Sequence, residues 1–143
     1  MNLIPYLLFD GTCADAMQFY AELFGAEITS MMRWADIPPS AGHPVSDADK
    51  DRVMHAHLQA KTFSLMAADG RPGTPKQGGN ISLSVNLDDV ATGEKLFAAL
   101  SDGGAVETPL MDMFWGAKFG QVTDKFGVDW MLNITLAEAA AHS

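Results

Sequence analysis

A single cysteine, Cys13, stands among 143 residues, which excludes an intramolecular disulfide and a cysteine-rich zinc site. Such cysteine usage fits a reducing, cytoplasmic location. Basic residues are scarce: 9 Lys and Arg against 18 Asp and Glu leave a formal charge of -9. No Lys/Arg cluster stands apart from that acidic majority, so neither a phosphate backbone nor an anionic membrane is an expected partner. No apolar run approaches the roughly eighteen residues of a membrane-spanning helix. The start Met1-Asn2-Leu3-Ile4-Pro5 lacks the basic stretch and long apolar core of a signal peptide, so the chain is expected to be soluble and unexported. G-x-G-x-x-G, phosphate-binding-loop and G-x-S-x-G patterns are all missing as well.

What is present is a core-forming composition, 48% hydrophobic with mean hydropathy +0.03. A chain of this length is one ordinary domain, or two small fused halves, and needs no covalent or metal staple. Residues 4–9 are almost all apolar and run into Asp10-Gly11-Thr12, which reads as a buried strand feeding a helix. In that helix Cys13, Ala16/Met17, Tyr20 and Leu23/Phe24 recur at helical spacing, Thr12 and Asp15 are placed as a capping-box-like pair, and Gly25 stops it. Strands are expected at residues 26–34, 53–60 and 62–68, with an acidic, proline-bearing mobile loop over 35–52.

Beyond a Gly/Pro-rich linker at 70–79 the same order begins again. Ile81, Leu83 and Val85 alternate with Ser82, Ser84 and Asn86, a strand with one apolar face. Asp88 is placed to cap a helix carrying Val90, Phe97 and Leu100 on one side, which Gly103-Gly104 ends. Strands follow at 105–113, 116–123 and 128–134, and 135–143 reads as a frayed or docked tail. Phe19-Tyr20-Ala21-Glu22-Leu23 before Gly25-Ala26 matches Leu96-Phe97-Ala98-Ala99-Leu100 before Gly104-Ala105. With the shared element order, this match indicates duplication: a first module at 1–69 and a second at 80–134.

These residues resemble the vicinal oxygen chelate superfamily (glyoxalase I, extradiol dioxygenases, bleomycin-resistance proteins), and within it the PhnB-like branch. The matching pieces are Pro5-Tyr6-Leu7-Leu8-Phe9-Asp10-Gly11, Ala16 with Phe19-Tyr20 and Leu23-Phe24-Gly25, Met54-His55-Ala56 and Ile81-Ser82-Leu83-Ser84. Leu96-Phe97 with Leu100 and Gly103-Gly104, Phe114-Trp115-Gly116, and Asp124-Lys125-Phe126-Gly127-Val128-Asp129-Trp130-Met131 complete the set. The resemblance implies an α+β fold of tandem βαβββ modules, whose curved mixed sheets enclose a cavity covered by the other module or by a partner chain, commonly in a homodimer. It also implies four metal-ligand positions in the metal-dependent members. These fall at Pro5, Asn80, Ser64 (or Met66) and Met131, and none is a His or Glu. The superfamily's Lewis-acid chemistry is therefore not expected here, and no metal or cofactor is implied. The branch also carries a demethylubiquinone methyltransferase label. A classical methyltransferase binds adenosylmethionine at a glycine-rich turn after its first strand, and Asp10-Gly11-Thr12-Cys13 lacks that spacing.

Individual residues carry chemistry of their own. His55 and His57, two apart on a strand, share a face and are the candidates for a general base or for a metal-binding pair, with Asp69 or Glu107 as third-ligand candidates; pocket-lining histidines are the simpler reading. Asp47, Asp49 and Asp51 open like an EF-hand loop, but Arg52 and Leu58 occupy the glycine and closing glutamate positions, leaving a solvated acidic loop. Cys13, in a first helical turn, is read as a small buried residue ahead of a reactive thiol. His43 and His142 fall in a loop and a tail and are expected to be exposed.

Phe114, Trp115, Phe119, Trp130 and nine methionines suit an adaptable pocket, or alternatively a hairpin edge packed on the core with Trp130 anchoring the last strand. Strand parity assigns the pocket to Leu7, Phe9, Ser64, Met66, Asn80, Ser82, Ser84, Trp115 and Met131. The expected function is metal-independent binding of a small hydrophobic organic ligand in a cavity between modules. An enzyme using His55/His57 and a structural module with a self-filled cavity are the alternatives.

Overall fold

In the computed structural model, residues 1–36, 46–70 and 80–136 are described. The chain divides into two compact units, Met1–Pro75 and Lys76–Ser143. Each is built in the same order, strand, helix and three strands. The first contains β1 (Tyr6–Phe9), α1 (Cys13–Phe24), β2 (Glu27–Arg33), β3 (Val53–Gln59) and β4 (Ser64–Asp69). The second contains β5 (Leu83–Leu87), α2 (Val90–Ser101), β6 (Ala105–Met113), β7 (Ala117–Thr123) and β8 (Asp129–Thr135). The two four-stranded sheets run β1-β4-β3-β2 and β5-β8-β7-β6, each with one parallel pair and antiparallel remainder. This is the α+β, βαβββ architecture expected of the fold family.

Each helix covers one face of its own sheet. The buried side chains of α1 are Cys13, Ala16, Met17, Tyr20 and Ala21, the stripe expected at helical spacing. In the first sheet the buried face carries Leu7, Phe9, Ala56, Leu58, Leu65 and Ala67; in the second it carries Val122, Trp130, Leu132 and Ile134. Gly93 of α2 permits that contact: a Cβ there would lie 2.2 Å from Ile134 Cδ1, so the small residue sets how close helix and sheet approach.

Two local expectations are corrected. Thr12 makes no side-chain cap bond, and Asp69 reaches the start of α1 from a distance, its Oδ1 accepting from Gly11 N (2.8 Å) ahead of the helix and from Cys13 N (3.0 Å), its first residue. The N-cap of α2 is Asp89 instead of Asp88, with the Thr92 hydroxyl donating to its carboxylate at 2.6 Å and holding that carboxyl below its ordinary value. Gly104 follows from close approach, since a Cβ would sit 2.2 Å from the Thr123 carbonyl oxygen. The acidic stretch around residue 47 is solvated as expected: Asp47 and Asp51 are exposed and Asp49 is part-exposed, Lys50 pairs with Asp47 at 3.7 Å, and Ser46 donates to Asp49 at 2.9 Å. His43, His142, most of the linker and the end of the tail lie outside the described residues. Among the described residues no helix is long and apolar enough to cross a membrane.

Cys13 is fully buried. Burial first, and the Asp69 carboxylate second, push its thiol up to about 12 against a smaller lowering by Arg33. The helix N-terminus therefore does not activate it. Native protein is expected to react with a thiol reagent at least ~100-fold more slowly than urea-unfolded protein. Because the folded value lies above the unfolded one, the contribution is fully present below pH ~9 and lost as pH rises toward ~12, at about 1.4 kcal/mol per pH unit. Urea denaturation across that window, compared with Cys13→Ala, measures the difference in slope; equal slopes would contradict the buried thiol.

Candidate functional site: the open sheet faces

Strand parity gives each sheet a second face that its helix does not cover. In the first module the registers Tyr6↔Met66 and Met66↔His57 place Tyr6, Met66 and His57 on this open face, opposite to Leu7 and Ala67. His55 joins them, paired across to Met32, and Ser64 lies on the same side opposite Gln59. The Ser64 hydroxyl donates to Gln59 Oε1 at 2.6 Å. Tyr6 reaches over β4 to His55, with its hydroxyl 3.0 Å from Nδ1, ring centroids 5.8 Å apart and planes tilted by 37°. Ala68 occupies the intervening strand and is buried although it belongs to the open face, as expected of a small residue beneath that bridge. Burial, with a smaller contribution from Cys13, raises the Tyr6 phenol above its ordinary value.

In the second module, Ser84↔Met131, Gln121↔Met131, Phe119↔Asn133 and Met111↔Phe119 bring a mixed polar, aromatic and thioether set onto one open face. Trp115, in the turn between β6 and β7, is 49% exposed. Its indole donates to Asn133 Oδ1 at 3.4 Å, and its ring meets Phe119 edge-on at 5.9 Å. The Thr108 hydroxyl donates to Gln121 Oε1 at 3.0 Å, which fixes the amide beside them.

The residues assigned to a pocket are thus divided. Ser64 and Met66 share the first open face, and Ser84, Met131 and Trp115 share the second. Asn80 and Ser82 are exposed in the segment before β5 and belong to no strand. Leu7 and Phe9 are a correction: both are buried on the helix-covered face, because β1 points Tyr6 and Leu8 to the open side. The aromatic group is divided too. Trp130 is 3% exposed on the helix side, while Phe114 is 97% exposed, stacks edge-on against Trp115 at 5.1 Å and does not pack into the core.

Asp69 is not a third ligand for the histidines. It lies beside Phe9 on the opposite face, and its two oxygens accept from Gly11, Cys13 and Val53 amides. Glu107 sits in the second module and accepts from the Thr123 hydroxyl at 2.9 Å. Among the described residues no group of three or more His, Cys, Asp and Glu side chains is placed to hold a metal ion. Tyr6 and Asn133 were not singled out from the sequence. Asn133 breaks the apolar run of its strand, which was an available signal; Tyr6 stood in an apolar run with none.

Comparison with known proteins agrees with this geometry. The model of the 3-demethylubiquinone-9 3-methyltransferase family matches residues 1–133. Protein YjdN of Escherichia coli is 31% identical over 140 residues, covering 94% of this chain and 95% of its own. The crystal structure of PA1353 from Pseudomonas aeruginosa superposes with a TM-score of 0.84 at 40% identity, over 95% of this chain and 98% of that one. A PhnB protein from Bacillus cereus gives 0.78 at 29% identity, over 96% and 100%. In fold alone the likeness extends to a glyoxalase-related enzyme from Fulvimarina pelagi (TM-score 0.57, 18% identity, 94% and 89% covered) and to the fosfomycin resistance protein FosX of Mesorhizobium loti (0.58, 8%, 98% and 97%). The chain belongs to the 3-demethylubiquinone-9 3-methyltransferase family.

Proposed function

We propose that this protein binds a small, predominantly apolar organic molecule without a metal, on the open sheet faces that its helices leave uncovered. The observation that carries the reading is the second-module cluster of Trp115, Phe119, Met111 and Met131, set among the polar groups of Asn133, Gln121 and Ser84. Large apolar side chains with a few oriented polar groups are the usual lining of a ligand site, and thioethers adapt to irregular shapes. A half-exposed Trp115 also argues against a surface filled wholly by its own side chains.

Methyl transfer of the classical kind is not proposed, despite the family's description. Neither four-stranded mixed sheet is a doubly wound parallel sheet, and no glycine-rich turn follows the first strand. The fold hosts enzymes and other proteins alike, so architecture does not select a reaction. A homodimer in the cytoplasm is part of the same proposal, and concentration-dependent gel filtration tests the dimer.

Titration of the purified protein with a naphthalene-type fluorophore is expected to quench tryptophan emission. Trp115→Ala is expected to weaken binding roughly tenfold, as truncation of a central aromatic contact does. Elemental analysis and chelator treatment form the second arm: binding is expected to survive chelation. Stoichiometric metal that is lost in a His55→Ala/His57→Ala variant would overturn the metal-independent reading.

A further inference from the structure

We infer that the Tyr6–His55 pair is the polar anchor of a ligand site on the first module, selecting organic molecules that carry a carbonyl oxygen. The inference deepens the ligand-binding reading and rests on it. Three observations support it. First, the 3.0 Å contact joins the Tyr6 hydroxyl to Nδ1 of His55 and to no other polar group of that ring. In the arrangement inferred here the Tyr6 hydroxyl donates to Nδ1. Nδ1 carries no proton in that tautomer, and the ring proton sits on Nε2 as a hydrogen-bond donor.

Second, no buried side-chain nitrogen or oxygen lacks a partner among the described residues, so the Nε2–H, for which the structure gives no protein acceptor, is open to solvent. Third, apolar side chains flank it on the open face, beside His57 and Ser30. Met32 is paired across from His55, Met66 lies in the strand between Tyr6 and His57, and Leu8 is exposed on the same face. An oriented donor flanked by apolar side chains recognises one acceptor atom on an otherwise apolar molecule. A carbonyl oxygen meets that description. A polyanion does not, because the chain carries a formal charge of -9.

The pair differs from a mere surface tie in what it predicts for chemically matched ligands. Acetylnaphthalene and ethylnaphthalene share ring and chain and differ in the carbonyl oxygen. Transfer from water favours the ethyl compound, whereas a donor in the site favours the acetyl one. Titration of the full chain with each probe is expected to show acetylnaphthalene bound more tightly. In His55→Ala the ratio of the two dissociation constants is expected to change roughly tenfold toward the ethyl compound.

Tyr6→Phe keeps the ring and removes the hydroxyl. It is expected to reduce the preference partially and to move the Nδ1 nitrogen resonance of His55 toward that of an unbonded imidazole acceptor. That resonance reads the pair directly, independent of any ligand. An unchanged ratio in His55→Ala, with both probes still bound, would overturn the anchor while leaving ligand binding intact. Binding of neither probe to the wild type would overturn both. An unchanged His55 resonance in Tyr6→Phe would overturn the hydroxyl's part.

Discussion

Asp69→Ala is expected to lose about 3–5 kcal/mol of folding stability, enough to remove much of the margin of a domain this size. The side chain is only 8% exposed. Its Oδ1 accepts from the amides of Gly11 and Cys13, and its Oδ2 from Val53 at 2.9 Å. One carboxylate at the end of β4 thereby satisfies the turn after β1, the first turn of α1 and the first residue of β3. Bonds to an ionised acceptor are the stronger kind, and truncation leaves buried amide donors without it, which costs more than the bonds themselves contributed. Water entering the small cavity will recover part of that loss, so the figure lies below a sum of three separate bonds. Asp69→Asn is the informative companion. Its carbonyl oxygen can serve Gly11 and Cys13, but its NH2 then faces the Val53 N–H, so the loss is expected to be about half. Urea denaturation followed by circular dichroism measures both. A loss below ~1 kcal/mol for the alanine variant would show that these amides find other partners.

The same geometry explains why a metal reading built on His55, His57 and Asp69 fails. Residues two apart on a strand share a face, and that part of the reading holds for the histidines. Asp69 sits opposite Phe9 in the parallel pair and on the helix side, and sequence spacing alone does not reveal that pairing. Its partners lie 16 to 58 residues away along the chain. Thr12 looked like the cap of α1 because local patterns are all that a sequence displays. Thr12 makes no such bond, and the Gly11 and Cys13 amides beside it are held by a residue from the far end of the module.

Element order was legible because the signals were redundant: a helical stripe closed by Gly25, alternation from Ile81 onward, and a second copy of both. The face of β5 was legible for the same reason, since Ser84 and Asn86 alternate with Leu83 and Val85. The face of β1 was not. It has four residues, Tyr6-Leu7-Leu8-Phe9, all apolar or aromatic, so period-two alternation carries no information there. A one-residue choice inverted the set: Leu7 and Phe9 lie on the helix-covered face, and Tyr6 and Leu8 on the open one. Tyr6, now a principal residue of the proposed site, was hidden by that inversion. In the second module Asn133 was visible as the polar residue in a run of apolar ones, yet its role required knowing that Trp115, in a turn eighteen positions earlier, returns to it.

Asp124→Ala is expected to be the second large loss, again about 3–5 kcal/mol, and to change the environment of Trp130 as it does so. Asp124 is 3% exposed at the start of the turn into β8. Its Oδ1 accepts from the Phe126 and Val128 amides at 2.9 and 3.0 Å, and its Oδ2 from the Trp130 indole at 2.9 Å. The turn Asp124-Lys125-Phe126-Gly127 is thus closed on a carboxylate and tied to the indole six residues on. Gly127 at φ 91° supplies the left-handed position that the turn requires. This arrangement gives the Asp-Lys-Phe-Gly-Val-Asp-Trp segment a structural reason: the aspartate closes the turn, the glycine bends it, and the tryptophan anchors the strand that follows. Trp130→Phe removes one donor but keeps most of the apolar burial, so it is expected to cost less than Asp124→Ala, about 1–3 kcal/mol. Asp124→Asn places its carbonyl at the two amides and its NH2 against the indole N–H, and should fall between them. If Asp124→Ala and Trp130→Phe proved equally costly, the indole bond would carry the whole effect, and the turn amides would have partners other than Asp124. A double-mutant cycle on these two residues makes that distinction, because the coupling energy isolates the carboxylate–indole contact from the amide contacts.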